Sequence, residues 1–190
     1  MKRLALFASG NGTNVQQIAE YFAGHDEIMV DCVIYNRKDA FVATRAKEMG
    51  IPAFYHPKSD FFESDVVLRQ LQERKIDYII LAGFLLLVPQ NLIEAFPNRI
   101  VNIHPALLPS YGGKGMYGHH VHEAVIANRE QESGITIHIV DPLFDNGRTL
   151  FQARYRLAPD ETADTLAAQI HLLEKEHFPK VIEQFVMGEL

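Results

Sequence analysis

The chain has 190 residues, 47% of them hydrophobic and 22% charged, with a formal net charge of −6. That is enough for one ordinary globular domain, and the acidic balance, with no basic stripe, argues against wrapping a nucleic-acid backbone. The single cysteine, Cys32, excludes an internal disulfide framework; inside the apolar run Cys32-Val33-Ile34 it reads as core filler in a reducing compartment.

The opening MKRLALFASG joins two basic residues to an apolar run too short for a membrane span. Because the run ends in Gly-Asn-Gly turn chemistry, it is read as a first core strand over 4–7. A helix over 14–22 follows, with Val15, Ile18, Ala19 and Phe22 on one face, and Thr13 with Gln16 fits a capping box at its start. Next come a strand over 30–34, a helix over 40–49, a short strand over 51–55 weakened by Pro52, and an amphipathic helix over 62–74 through Val66, Val67 and Leu71. Residues 78–82 form the clearest buried strand. Strands alternating with helices at this spacing mean βαβ units and a parallel sheet. The pattern then changes: 135–140 alternates strictly, and a strand over 150–156 follows a short loop, which implies an antiparallel pair. A long helix over 162–186 closes the chain, with Pro179 expected to kink it. The reading is a single α/β domain over 1–190: a mostly parallel twisted sheet, an antiparallel strand late in the chain and a long C-terminal helix.

Two places carry chemistry. Ser9-Gly10-Asn11-Gly12-Thr13-Asn14 joins the first strand to the first helix, where free backbone N–H groups and the helix dipole favour an anion. A dinucleotide fingerprint is incomplete here, because Val15 stands at the third glycine position and Tyr35-Asn36-Arg37 offers no carboxylate for a ribose. A single phosphate monoester fits better; the alternative is a tight turn with no ligand. The second place is VNIHPALLPSYGG. Asn102 and His104 lie two residues apart at the end of an apolar run that Pro105 stops, so their side chains share a face where a strand opens into a loop. An amide donor beside an imidazole suits stabilising a developing oxyanion and moving a proton.

Taken together, SGNGTN, LAGFLLLVP at 81–89, NIHPALLPSY at 102–111 and Asp-Asn-Gly at 145–147 resemble the glycinamide ribonucleotide formyltransferase family over essentially the whole chain. The resemblance implies a Rossmann-like three-layer fold and transfer of the formyl group of 10-formyltetrahydrofolate, as co-substrate, to the amine of glycinamide ribonucleotide in de novo purine synthesis. It implies Asn102, His104 and Asp145 as catalytic residues, Gly12, Thr13 and Asn14 as the phosphate turn, and Glu174 on the last helix as the ribose contact. It also implies a pterin pocket lined by Leu85, Leu86, Leu87 and Val88, with Asn102 reaching the donor. The donor is expected between the 85–88 segment and the loop 141–147. A protonated His104, its pKa raised by Asp145, is expected to serve the oxyanion with Asn102.

The chain departs from the family pattern in two places. Near Ser64-Asp65 the resemblance implies an arginine on the folate side, and Arg69 is the nearest; the loop 111–120 is longer and richer in glycine. Bland readings also stand beside the functional ones. Asp145 before Asn-Gly is ordinary turn chemistry, Glu174 sits among Lys175 and Glu176 as on a solvated face, and Phe84 to Val88 could be core. His119, His120, His122 and Glu123 lack the second cluster that a metal site needs, so no metal is expected. His138 is given a supporting role. Rivals are methionyl-tRNA formyltransferase, which carries a further C-terminal domain, a formyltetrahydrofolate hydrolase with a domain in front, and a Rossmann-type NAD module. The expected setting is cytoplasmic, as a monomer or homodimer with small-molecule substrates and no membrane or nucleic-acid partner.

Overall fold

The computed structural model describes residues 1–142, 145 and 147–190. The chain belongs to the α/β class. Its strands are β1 (Lys2–Ala8), β2 (Ile28–Tyr35), β3 (Ala53–Tyr55), β4 (Tyr78–Leu81), β5 (Ile100–His104), β6 (Glu132–Ile139) and β7 (Thr149–Arg156). Its helices are α1 (Thr13–Tyr21), α2 (Val42–Glu48), α3 (Lys58–Phe62), α4 (Val66–Glu73), α5 (Gln90–Ala95), α6 (His119–Ala127) and α7 (Ala163–Met187). The seven strands form one sheet in the order β3-β2-β1-β4-β5-β6-β7. β1 pairs in parallel with β2 and β4, β2 in parallel with β3, and β6 antiparallel with β7, as the switch in periodicity requires.

Contacts divide the chain into two compact units, Met1–Val101 and Asn102–Leu190. In the first, β1 is central and reads as an uninterrupted apolar run because both its faces are covered; Leu4, Ala5, Leu6 and Phe7 are fully buried. Val15 and Ile18 of α1 and Leu71 of α4 join this core, and Phe84 and Phe61 pack edge-on or tilted against Phe7 and each other. Each such side chain contributes about 1.5–3 kcal/mol by leaving water. A carboxylate, Asp31 on β2, lies beneath this layer with its side chain 3% exposed, clamped by the guanidinium groups of Arg3 and Arg74 (Arg74 Nε to Oδ2 2.5 Å). In the second unit, α7 packs on α6, β6 and β7, burying Leu166, Ile170, Phe178 and Ile182 with Ile135 and Ile137.

Two expectations change. The helix expected over 62–74 starts only at Val66, as α4, and a separate short helix, α3, precedes it: the Ser64 hydroxyl donates to the carbonyl of Asp60 (3.1 Å) and accepts from the N–H of Val66 (3.4 Å), tying off the end of one and the start of the other. Thr13 makes no capping box. Gly12 is the N-cap in a left-handed conformation (φ 77), and the Gln16 carboxamide is taken by Arg45 and Glu20 instead. A capping box forms at Thr162 and Thr165, opening α7, which runs through Pro179 to Met187. No helix among the described residues is long and apolar enough to cross a membrane.

Candidate active site

In the second unit, β5 delivers the motif pair. Ile100 and Val101 are buried, Asn102 is half-buried and His104 is 3% exposed, with Pro105 ending the strand. β6 supplies the residue that joins them to Asp145. Asn102 Nδ2 donates to His138 Nε2 (3.1 Å), and the opposite ring nitrogen of His138 donates to the carbonyl of Ile139 (3.1 Å). Asp145 stands next to both imidazoles, Oδ1 3.6 Å from His138 Nε2 and Oδ2 3.5 Å from His104 Nδ1. Asn102, His104 and Asp145 are thus brought together, with His138 between Asn102 and Asp145. A register shift between Ile137 and His138 in the β6–β7 ladder falls at this place, a bulge of the kind that re-aims a side chain.

His104 Nε2 donates to the carbonyl of Tyr111 (2.7 Å) while Nδ1 faces the Asp145 carboxylate, so both ring nitrogens meet acceptors. Contrary to expectation, this does not leave His104 with a raised proton affinity. Burial, the largest influence, holds its pKa below the ordinary histidine value, and outweighs the opposing pull of Asp145 and of the Tyr111 carbonyl. Burial also pushes the Asp145 carboxyl upward, but contact with His138, the charge of His104 and the N–H of Gly113 (3.0 Å) together hold it below the usual carboxylate range. Asp145 carries left-handed backbone (φ 51), so turn chemistry and the imidazole contact coexist in one residue. Leu143, Phe144 and Asn146 of the expected donor loop lie outside the described residues.

The backbone after His104 is held by side chains that the sequence reading missed. Thr136 Oγ1 donates to the carbonyl of Ala106 (2.7 Å) and accepts from the N–H of Leu108 (2.9 Å), and Gln152 Nε2 donates to the carbonyl of Leu108 (3.0 Å). Tyr111, whose carbonyl meets His104, is anchored by its hydroxyl to Glu130 (2.6 Å) and Asn128 (3.0 Å). The available signal was the period-two placement of Thr136 and His138 on one strand face. Glu174 is buried while Lys175 and Glu176 are exposed, and its Oε2 accepts from His171 Nδ1 (2.9 Å); the solvated-face reading does not hold. Among the described residues no three His, Cys, Asp or Glu side chains are grouped to hold a metal ion.

In the first unit, the buried Ser9 hydroxyl ties the glycine turn to the 85–88 segment. It donates to Asn36 Oδ1 (2.6 Å) and accepts from the N–H of Leu85 (2.9 Å), while its own N–H donates to the carbonyl of Gly83 (2.9 Å). Gly12 is buried, Thr13 exposed and Asn14 half-buried at the start of α1. Of the expected pterin wall, Leu85 is 46% exposed, Leu86 and Leu87 are half-buried and Val88 is buried. An apolar strip of this kind, part open and backed by core, suits a flat heterocycle. Asp65, where the resemblance places an arginine, accepts from Asn91 Nδ2 (2.8 Å).

The sequence profile of the family described as Formyl transferase matches residues 2–182. A chloroplastic phosphoribosylglycinamide formyltransferase of Arabidopsis thaliana is 41% identical over 93% of this chain and 62% of that protein. The Bacillus subtilis phosphoribosylglycinamide formyltransferase is 32% identical over 98% of this chain and 95% of that one. The chain spans about three fifths of the length of the plant relatives it matches. Among solved structures, the phosphoribosylglycinamide formyltransferase of Streptococcus pneumoniae TIGR4 superposes with a TM-score of 0.86 at 36% identity, covering 98% of this chain and 99% of that one.

Proposed function

We propose, from the premise that this chain belongs to the formyl transferase family, that it transfers the formyl group of 10-formyltetrahydrofolate to the amine of 5'-phosphoribosylglycinamide. The products are N-formylglycinamide ribonucleotide and tetrahydrofolate, a step of de novo purine synthesis. The observation that carries the reading is the connected set Asn102, His138, Asp145 and His104 at the end of β5. Residues 1–190 are taken as one formyltransferase domain, cytoplasmic, monomeric or homodimeric, acting on small molecules without a metal. Gly12, Thr13 and Asn14 take the acceptor's phosphate, Glu174 its ribose, and Leu85 to Val88 the pterin.

The acceptor nitrogen bonds to the formyl carbon and the carbonyl electron pair moves onto oxygen. Collapse then breaks the bond to N10 of the donor, and the proton lost by the amine ends on N10. Asn102 has one carboxamide N–H fixed by His138 and presents the other toward the developing oxyanion. His104 rests with a low proton affinity because it is buried; negative charge forming beside the ring offsets that penalty, and Asp145 stabilises the cation on the Nδ1 side. To donate, Nε2–H exchanges the Tyr111 carbonyl for the reacting oxygen.

The test incubates pure protein with 10-formyltetrahydrofolate, with and without glycinamide ribonucleotide, and follows tetrahydrofolate release. Acceptor-dependent release is expected. Acceptor-independent release, or formylation of charged initiator tRNA in its place, overturns the reading. Asn102→Ala and His104→Ala should each lower turnover by about 10²–10³ with folding intact, and near-normal turnover in either refutes that residue's role.

A further inference from the structure

The glycine turn is braced from behind by α2. Arg45, half-buried on that helix, donates from Nε to the backbone carbonyl of Asn11 (2.8 Å) and from Nη2 to Asn11 Oδ1 (3.0 Å), and its Nη1 reaches the Gln16 side-chain oxygen on α1. The guanidinium lies over the Phe41 ring, 5.1 Å from its centroid, which fixes its approach. One turn of the same helix away, the N–H of Val42 donates to the carbonyl of Gly10 (3.1 Å), and Gly12 packs so closely on Val42 that a Cβ would lie 2.7 Å from Val42 Cβ. Gly10, Asn11 and Gly12 are therefore each held by α2, and α1 is joined to α2 through Gln16.

We propose that Arg45 is the positioning residue of the phosphate seat, an inference resting on the reading of Gly12, Thr13 and Asn14 as the place of the acceptor's phosphate. A turn that binds an anion must aim its N–H groups at the ligand and its carbonyls elsewhere, since a carbonyl lone pair facing the anion repels it. Arg45 does the second job directly. It binds the Asn11 carbonyl and the Asn11 side-chain oxygen together, in a forked geometry that an ammonium does not reproduce. Its positive charge also stands behind the turn without being spent on the ligand. With the fork in place the turn is ordered before substrate arrives, so little ordering is left to oppose binding.

The experiment compares the parent chain with Arg45→Met and Arg45→Lys. It measures kcat, KM for glycinamide ribonucleotide, KM for 10-formyltetrahydrofolate, and the inhibition constant of inorganic phosphate competing with the acceptor. Both variants should raise the acceptor KM and the phosphate inhibition constant by about tenfold, the loss of one well-placed charged contact, with kcat and donor KM within about twofold. Unchanged acceptor KM and phosphate inhibition in Arg45→Met overturn the inference. So does recovery of parent values in Arg45→Lys, which would make charge alone sufficient, or a parallel loss in kcat and both KM values, which would mark general loosening. Should Arg45→Met not fold, Arg45→Lys and Gln16→Ala carry the test: each must weaken phosphate more than donor. If inorganic phosphate does not compete with the acceptor on the parent, the reading of the glycine turn itself fails and this inference with it; competition on the parent with unchanged variants sinks the inference alone.

Discussion

His122 on α6 should make the fold sensitive to mild acid. It is 4% exposed, and its Nδ1 is buried with no hydrogen-bond partner among the described residues. Burial first, then the charge of His119 and, more weakly, of His171 and His104, push its pKa down to about 4 against the pull of Glu174. The unfolded value is near 6.5, so as pH falls below that point the unfolded chain takes a proton that the folded chain refuses. Stability is therefore lost between about pH 6.5 and pH 4 and levels off below. With those two values, the loss between pH 7 and pH 5 comes to about 2 kcal/mol. Urea unfolding at both pH values, on the parent and on His122→Gln, isolates this contribution from that of other titrating groups. The variant starts lower at pH 7, since a buried position is altered, but should lose about 2 kcal/mol less on acidification. Equal losses in the two proteins would refute the linkage.

The buried clamp at Asp31 gives a second expectation. Asp31→Asn removes the charge that both Arg3 and Arg74 face, and should cost about 3 kcal/mol in chemical denaturation; a change under about 1 kcal/mol would show the pair to be solvated in practice. Gly134 on β6 is packed so closely that an added Cβ would run into the carbonyl of Ala153 on β7 and lie 2.7 Å from Leu107 Cδ2. Gly134→Ala should destabilise by about 2 kcal/mol, a fall of roughly 4–8 °C in Tm by calorimetry, and an unchanged Tm would contradict that packing.

The strands β1 and β4 were readable because a strand covered on both faces leaves a continuous apolar run, and the β6–β7 pair because its period changes to two. The break between α3 and α4 was not readable, since it depends on one serine hydroxyl serving two helix ends at once. Asn102 and His104 stood out because alternate residues at a strand end share a face. What joins them did not. A histidine on an alternating strand looks the same whether it packs or bridges, and only its contacts with Asn102 and Asp145 distinguish the two. Nor does a sequence report how much protein surrounds a ring: it names Asp145 as a partner for His104, but the desolvation that outweighs that partner belongs to three dimensions. For Arg45 the obstacle is distance along the chain, 34 residues from Asn11, with nothing in the glycine turn to announce its brace.

Cys32 lies in β2 with its thiol pushed up to about 12, chiefly by burial and then by neighbouring Asp31. As the chain's lone sulfhydryl it is a built-in clock. A chromogenic disulfide reagent will find no thiolate until β2 comes away from its neighbours, so the labelling rate counts openings of the sheet, molecule by molecule, with no probe to install.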